Sequence, residues 1–206
     1  MENFIREIMQ NRYSCRNFND KKIDDKTLRE IIDLTRLSPS SVGLEPWKFM
    51  VVSGENLTPL ATICNAQKHI EKCSHAVIII SRNDIRPDDK FLRERIESKG
   101  KSKDKVEKYI AFVGSKTGRM SERELCVYTD LQGYLACANL VNIACAFGVQ
   151  SCIIGGFDYN ALSEFIAADG FSAPFHPCVV VALGYSDDEP AKKIRQSLDE
   201  VLVYKK

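Results

Sequence analysis

The sequence predicts a mixed helix-and-sheet fold, and three observations carry that prediction. Short apolar runs alternate with helical stretches along the chain. One stretch, Glu122–Phe147, reads as a helix far longer than the others. The 206 residues, 44% of them apolar, suffice for one domain, 1–206, with a full core.

The elements follow in order. Asn3–Asn11 spaces Phe4, Ile5 and Ile8 as a short amphipathic helix. Asp24 or Asp25 can cap a second helix, with Leu28, Ile31, Ile32 and Leu34 on its inner side. Ser38-Pro39 ends it, because the residue before proline is pushed out of the α region. Phe49–Ser53 is a buried strand, and a helix near Leu57–Gln67 follows. His75–Ser81 is apolar throughout, so both of its faces are covered. Residues 85–120 form a charged excursion with helical pieces and weak periodicity, in which Lys99–Lys105 reads as a solvated loop. Glu122–Phe147 spans roughly 26 residues, about 39 Å at 1.5 Å per residue. From Tyr134 onward it is almost wholly apolar and must be buried all round, in part against a second subunit. Gly148 stops it as a C′ glycine. Val149–Ile154 is a strand broken by Gly155-Gly156, Leu162–Ala168 a helix, and Pro177–Gly184 the last clear strand. In the polar tail, Val201–Tyr204 alternates and is expected to pack as an edge strand on a partner.

The formal net charge of +1 implies no general attraction to nucleic acid or an anionic membrane. No apolar run reaches the roughly 18–20 residues of a membrane span. The opening Met-Glu-Asn-Phe-Ile-Arg lacks a signal peptide's basic start and apolar core, so a cytoplasmic protein is expected. Its eight cysteines contain no Cys-x-x-Cys pair and read as reduced thiols in apolar segments. Residues 82–124 hold 13 Lys/Arg against 9 Asp/Glu, a local excess of four positive charges.

Candidate chemistry lies elsewhere. Arg12 and Arg16 flank Ser14, and the planar fork of arginine suits phosphate oxygens. Lys193 and Arg195 place two cations on one side of an extended segment. Ile154-Gly155-Gly156 runs a strand into backbone N–H groups free of side chains, a turn able to approach a flat ring closely. It also reads as a plain tight turn, with Asp158 or Asn160 capping the next helix. Trp47 suits core or wall. Ser40 and Ser41 sit in no Gly-x-Ser-x-Gly elbow, and the three histidines show no metal-site spacing, so no metal is expected. Neither Gly-x-Gly-x-x-Gly nor a P-loop occurs.

Four motifs in this order resemble the nitroreductase family. Arg12-Tyr13-Ser14-Cys15-Arg16 is similar to its Arg-x-Ser-x-Arg/Lys contact. Pro39-Ser40-Ser41 through Pro46-Trp47 keeps the spacing of its Pro-Ser-Ser loop, with Gly43 where asparagine is usual and Glu45 where glutamine is usual. Gly148–Asp158 resembles its Ile-Gly-Gly-Phe-Asp segment. Lys193-x-Arg195 followed by Leu198-Asp199-Glu200-Val201 resembles its closing motif. Gln67 falls on a family Asn/Gln position and His69 where some members carry lysine.

The resemblance implies an α+β fold: a central, mainly antiparallel sheet flanked by helices, and an intertwined homodimer joined through the long helix. It implies FMN in a groove shared by both subunits. Arg12, Tyr13, Ser14, Arg16, Lys193 and Arg195 would anchor ring and phosphate. Pro39, Ser40, Ser41, Gln67 and Ile154 would line the groove, and the backbone of Gly155 and Gly156 would face flavin N5 and O4. It further implies ping-pong hydride transfer from NADH or NADPH to a nitroaromatic, quinone or similar small-molecule acceptor, with no side chain as nucleophile or base. Residues 85–120 would overhang the site. A flavin-binding sensor or carrier, or a specialised dehalogenase-like enzyme, are the alternatives.

Overall fold

The computed structural model describes residues 2–205. Four strands form one sheet in the order β1-β2-β4-β3, every pairing antiparallel. They are β1 (Trp47–Val52), β2 (His75–Arg82), β3 (Gln150–Ile154) and β4 (Phe175–Gly184). β2 and β4 are central, and nearly all their residues are buried. Antiparallel sheets often leave one face to water; here the alternation serves two cores. Ile78, Ile80, Val180 and Ala182 face one layer. Val77, Ile79, Val179, Val181 and Leu183 face the other.

The first layer is α3 (Leu57–Ile63), α4 (Lys68–Lys72) and α8 (Tyr159–Ala167), with Leu60, Cys64, Ile70, Leu162 and Ile166 packed inward. The expected single helix over 57–67 breaks after Ile63, because Asn65 and Ala66 take positive φ values of 59° and 54°. The second layer is α2 (Asp25–Thr35) and α7 (Glu122–Ala146), with Leu28, Ile31, Leu140, Val141 and Ala144 inward. Trp47 belongs to this core, 7% exposed. α1 (Glu2–Asn11) lies against α7 and buries no residue fully.

The helix ends follow the local chemistry. Asp24 caps α2 by accepting from the Thr27 N–H at 2.9 Å. Ser121 and Glu124 form a capping box on α7, and Gly148 follows it with φ +72°. Asp158 caps α8. α7 approaches the sheet closely at Gly133, where a Cβ would lie 2.7 Å from Cys178 Sγ.

Through its first half and middle, α7 leaves Val127, Leu131, Tyr134 and Leu135 45–63% exposed along one side, a stripe of apolar side chains that this chain does not cover. Two expectations need correction. The charged excursion is ordered as α5 (Lys90–Glu97) and α6 (Lys103–Thr117) around its own core of Ile85, Leu92, Ile96, Val106, Ile110 and Val113. The loop expected over 99–105 therefore ends at Ser102, which precedes α6. The tail forms no strand among the described residues. Leu198–Val201 is one helical turn, α9, and Val203 and Tyr204 are exposed.

Candidate functional site

Most of the candidate residues gather along the outer edge of β3. Its five residues span about 16 Å at ~3.3 Å per residue. Segment 12–16 runs beside it: Ser14 bridges Ser151 in parallel, and the Cys15 N–H donates to the Ser151 carbonyl at 2.9 Å. The same segment is tied to the start of the tail. Tyr13 Oη donates to the Asp188 carbonyl, Asn17 Nδ2 to Asp188 Oδ1 at 3.0 Å, and Asn19 Nδ2 to Asp187 Oδ1 at 3.0 Å. These ties bring residues 168 to 175 apart in sequence to one place.

At one end stand three cations. Lys193 Nζ donates to the Met9 carbonyl in the last turn of α1, a favourable place for a cation. Its pKa is pushed down by lost hydration and then by the neighbouring Arg12 and Arg195. Arg12, Arg16, Lys193 and Arg195 make no ion pair with a carboxylate of the described residues. A pocket of about 590 Å³ opens here, lined by Arg12, Tyr13, Cys145, Gln150, Ser151 and Glu189 among others. Cys145 sits in it. Burial raises its pKa, and Lys193 and Arg12 oppose that rise. The Gln150 Oε1 atom is buried without a partner.

At the other end, β3 runs into Gly155 and Gly156, both exposed. Their surroundings are tight. A Cβ on Gly156 would lie 3.2 Å from Asn65 Nδ2, and one on Gly155 would lie 3.5 Å from Tyr134 Oη. Gln67 Nε2 donates to the Cys64 carbonyl at 2.9 Å and the Gly156 carbonyl at 3.3 Å, so it supports the glycine turn from the break between α3 and α4. Ile154 is buried behind the turn. Arg16 lies between the two ends, near enough to act on His69 and Cys152. His69 is 8% exposed, and burial, then Arg16, lower its pKa. Its Nε2 has no partner.

Pro39, Ser40 and Ser41 are not tied to this edge. Their partners lie on α7 and within their own loop: Gln132 Oε1 accepts from the Ser41 N–H at 3.1 Å, Tyr128 Oη donates to Ser41 Oγ, and Ser40 Oγ accepts from the Glu45 N–H at 2.9 Å. Tyr134, Gln132 and Tyr128 had one sequence signal, as polar side chains on a helix otherwise turning apolar.

Fold and edge together define an α+β protein whose β3 edge has, at one end, cations without a carboxylate partner among the described residues and, at the other, two exposed glycines. The comparisons make this specific. The profile of the Nitroreductase family matches residues 9–185, and the chain belongs to that family. A Haemophilus influenzae protein, provisionally named NAD(P)H nitroreductase, is 34% identical, with 96% of this chain and 94% of that protein covered. A similarly named protein of Staphylococcus haemolyticus is 31% identical over 98% and 97% of the two. A nitroreductase-type structure from Exiguobacterium sibiricum, solved in complex with FMN, superposes with a TM-score of 0.81 at 21% identity, covering 98% and 97%.

Proposed function

We propose that the protein is an FMN-dependent NAD(P)H oxidoreductase for electron-poor acceptors such as nitroaromatics and quinones, working as a homodimer. The observation that carries this reading is the β3 edge, with its cations lacking counter-ions at one end and side-chain-free backbone at the other. A phosphate fits the first and a flat polar ring the second. The relatives' names and the FMN-bound neighbour point the same way.

When bound, FMN supplies the hydride-transfer chemistry, and the protein supplies position and electrostatics. Arg12, Lys193 and Arg195 would hold the phosphate through charge-assisted hydrogen bonds. Ser14 and Arg16 offer a hydroxyl and a guanidinium midway, beside Tyr13. The N–H groups of the exposed Gly155 and Gly156 would offer fixed dipoles to the ring. Gln67 and Ile154 hold that turn in place. NAD(P)H and the acceptor would occupy the same site in turn, with no side chain required as nucleophile or base.

The dimer rests on uncovered apolar surface. Leu131, Tyr134 and Leu135 on α7 and Phe4, Ile5 and Met9 on α1 are 45–63% exposed, which a second copy would cover. In that assembly Pro39, Ser40 and Ser41 reach the groove from the second copy. No helix of the described residues is long and apolar enough to cross a membrane.

The test is titration of the purified protein with FMN, followed by NAD(P)H oxidation against a panel of acceptors. The expected result is tight, noncovalent FMN and acceptor-dependent turnover. A protein that binds no added FMN overturns the reading. FMN binding without turnover favours the sensor or carrier alternative.

A further inference from the structure

The loop between α2 and β1 holds a conformation that its own sequence does not favour. Val42, Gly43 and Glu45 have φ values of 50°, 63° and 51°. Glycine visits that region freely, but a β-branched valine there is an outlier that its surroundings must impose. Those surroundings come from the excursion, fifty or more residues further along the chain.

Lys99, just past α5, donates from Nζ to the Val42 carbonyl at 3.2 Å and to the Gly43 carbonyl at 2.6 Å. Tyr109 of α6 donates to the same Val42 carbonyl at 2.9 Å. Arg95 of α5 pairs with Glu45, both side chains partly buried. Leu44 between them is fully buried in the excursion's core. From the opposite side, Gln132 and Tyr128 of α7 hold Ser41. The fit leaves no slack, because the Lys99 ammonium occupies the space a side chain on Gly43 would need. Lys99 is a cation without a carboxylate partner among the described residues. Burial, then Arg95 and Lys101, depress its pKa, so its two carbonyl bonds are its compensation.

We propose that Arg95 and Lys99 are positioning residues for the groove. Gly43 with Lys99, and Glu45 with Arg95, form two matched pairs through which the excursion sets the Pro39–Trp47 loop. This rests on the reading above that Pro39, Ser40 and Ser41 line the groove. Gly43 and Glu45, the two departures from the family's usual residues, are then explained together: each is complementary to a cation that the excursion brings.

The experiment uses the full-length protein and two double-variant cycles. The first is Gly43→Asn, Lys99→Ala and their combination; asparagine tolerates the left-handed region best after glycine. The second is Glu45→Arg, Arg95→Glu and the swap. Amide exchange of residues 41–46 is measured without FMN. Each single variant is expected to speed exchange by about tenfold or more, the loss of one charge-assisted hydrogen bond. Each double is expected to recover most of the protection. In the presence of FMN, the singles raise the acceptor KM at least about threefold while kcat changes less, and the doubles restore KM.

Unchanged exchange in Lys99→Ala and Arg95→Glu, or doubles that merely add the two losses, overturns the matched pairs. Altered exchange with unchanged KM refutes the link to the groove. Absence of FMN binding in the unaltered protein refutes the functional reading instead, and the exchange result still judges the pairs.

Discussion

The sheet with its two helical layers and the α5–α6 excursion solve the same problem by different means. The sheet is held by apolar side chains on both faces, and β2 and β4 bury almost every residue they contain. The excursion has eight buried apolar residues, counting Leu44 and Leu125, and surrounds them with charge. Arg93 pairs with Glu97 and Glu107, Lys90 with Glu94, and Arg86 with Glu122. Exposed pairs of this kind contribute little to stability. The excursion therefore owes its order to a small core and a few specific polar contacts with the loop it touches. The difference teaches which part of the molecule is scaffold and which part is adjustable. Burial fixes the β3 edge, whereas the Pro39–Trp47 loop is set by contacts that a few substitutions can retune.

The largest expected effect tests that contrast directly. Ile79→Ala in β2 removes a fully buried side chain from the second core and should cost about 2–5 kcal/mol of global stability. Leu92→Ala in α5 removes an equally buried side chain from the small core. Its cost should appear as local opening, with faster amide exchange in α5 and α6 and little change in β2 and β4. Denaturant melts combined with hydrogen exchange separate the two. If Leu92→Ala speeds exchange in the sheet as much as in α6, the excursion is no separate unit and the comparison fails.

A smaller effect distinguishes charge by location. Arg12→Ala should weaken FMN binding by roughly tenfold, the order expected for one partly exposed charge-assisted contact. Arg195→Ala should act in the same direction. Lys101→Ala removes a cation from the excursion, where it sits over the Tyr109 ring at 4.9 Å, and should leave FMN affinity unchanged. Fluorescence titration at fixed salt reads all three, since salt screens exposed charges. Equal losses from Arg12→Ala and Lys101→Ala would point to a diffuse field and remove the assigned phosphate end.

The same contrast explains what was legible in the sequence. The strands stood out because a strand covered on both faces must be apolar at nearly every position, as Val77 through Ile80 are. The helix ends at Asp24 or Asp25, at Gly148, and at Asp158 or Asn160 were visible to within two residues because each is a local event between neighbouring residues; the structure chooses Asp24 and Asp158. Arg12, Arg16, Gly155, Gly156, Lys193 and Arg195 were singled out by motif, yet nothing in the sequence shows that segment 12–16 runs beside β3 or that Lys193 reaches the end of α1. The break at Asn65–Ala66 had no signal, since alanine gives no warning of a left-handed conformation. α6 buries Val106, Ile110, Val113 and Thr117 at helical spacing, but the lysines around them hid the stripe. The contacts of Arg95 and Lys99 span fifty or more residues and follow from tertiary packing alone.

The smallest effect is one of pH, and it too divides the two regions. His69 of α4 is buried, and burial followed by Arg16 holds its pKa below the ordinary 6.5. Burial, the largest cause, likewise lowers His75 at the start of β2. In the window below about 6.5 the unfolded chain binds protons that the folded chain refuses. The unfolding free energy therefore falls as pH drops through 6.5, and levels off only below the folded pKa values. The excursion between 85 and 120 contains no histidine. Among its carboxylates, Glu107 is held below its ordinary range by its hydrogen bond to Arg93. Lowering the pH from about 7.5 to about 5.5 should thus weaken the sheet's global stability while the local opening of α5 and α6 stays flat. His69→Asn should reduce the acid sensitivity of the former and leave the latter alone. A denaturation midpoint that does not move with pH, or that moves equally in His69→Asn, would show that the buried imidazole contributes nothing to the scaffold's acid response.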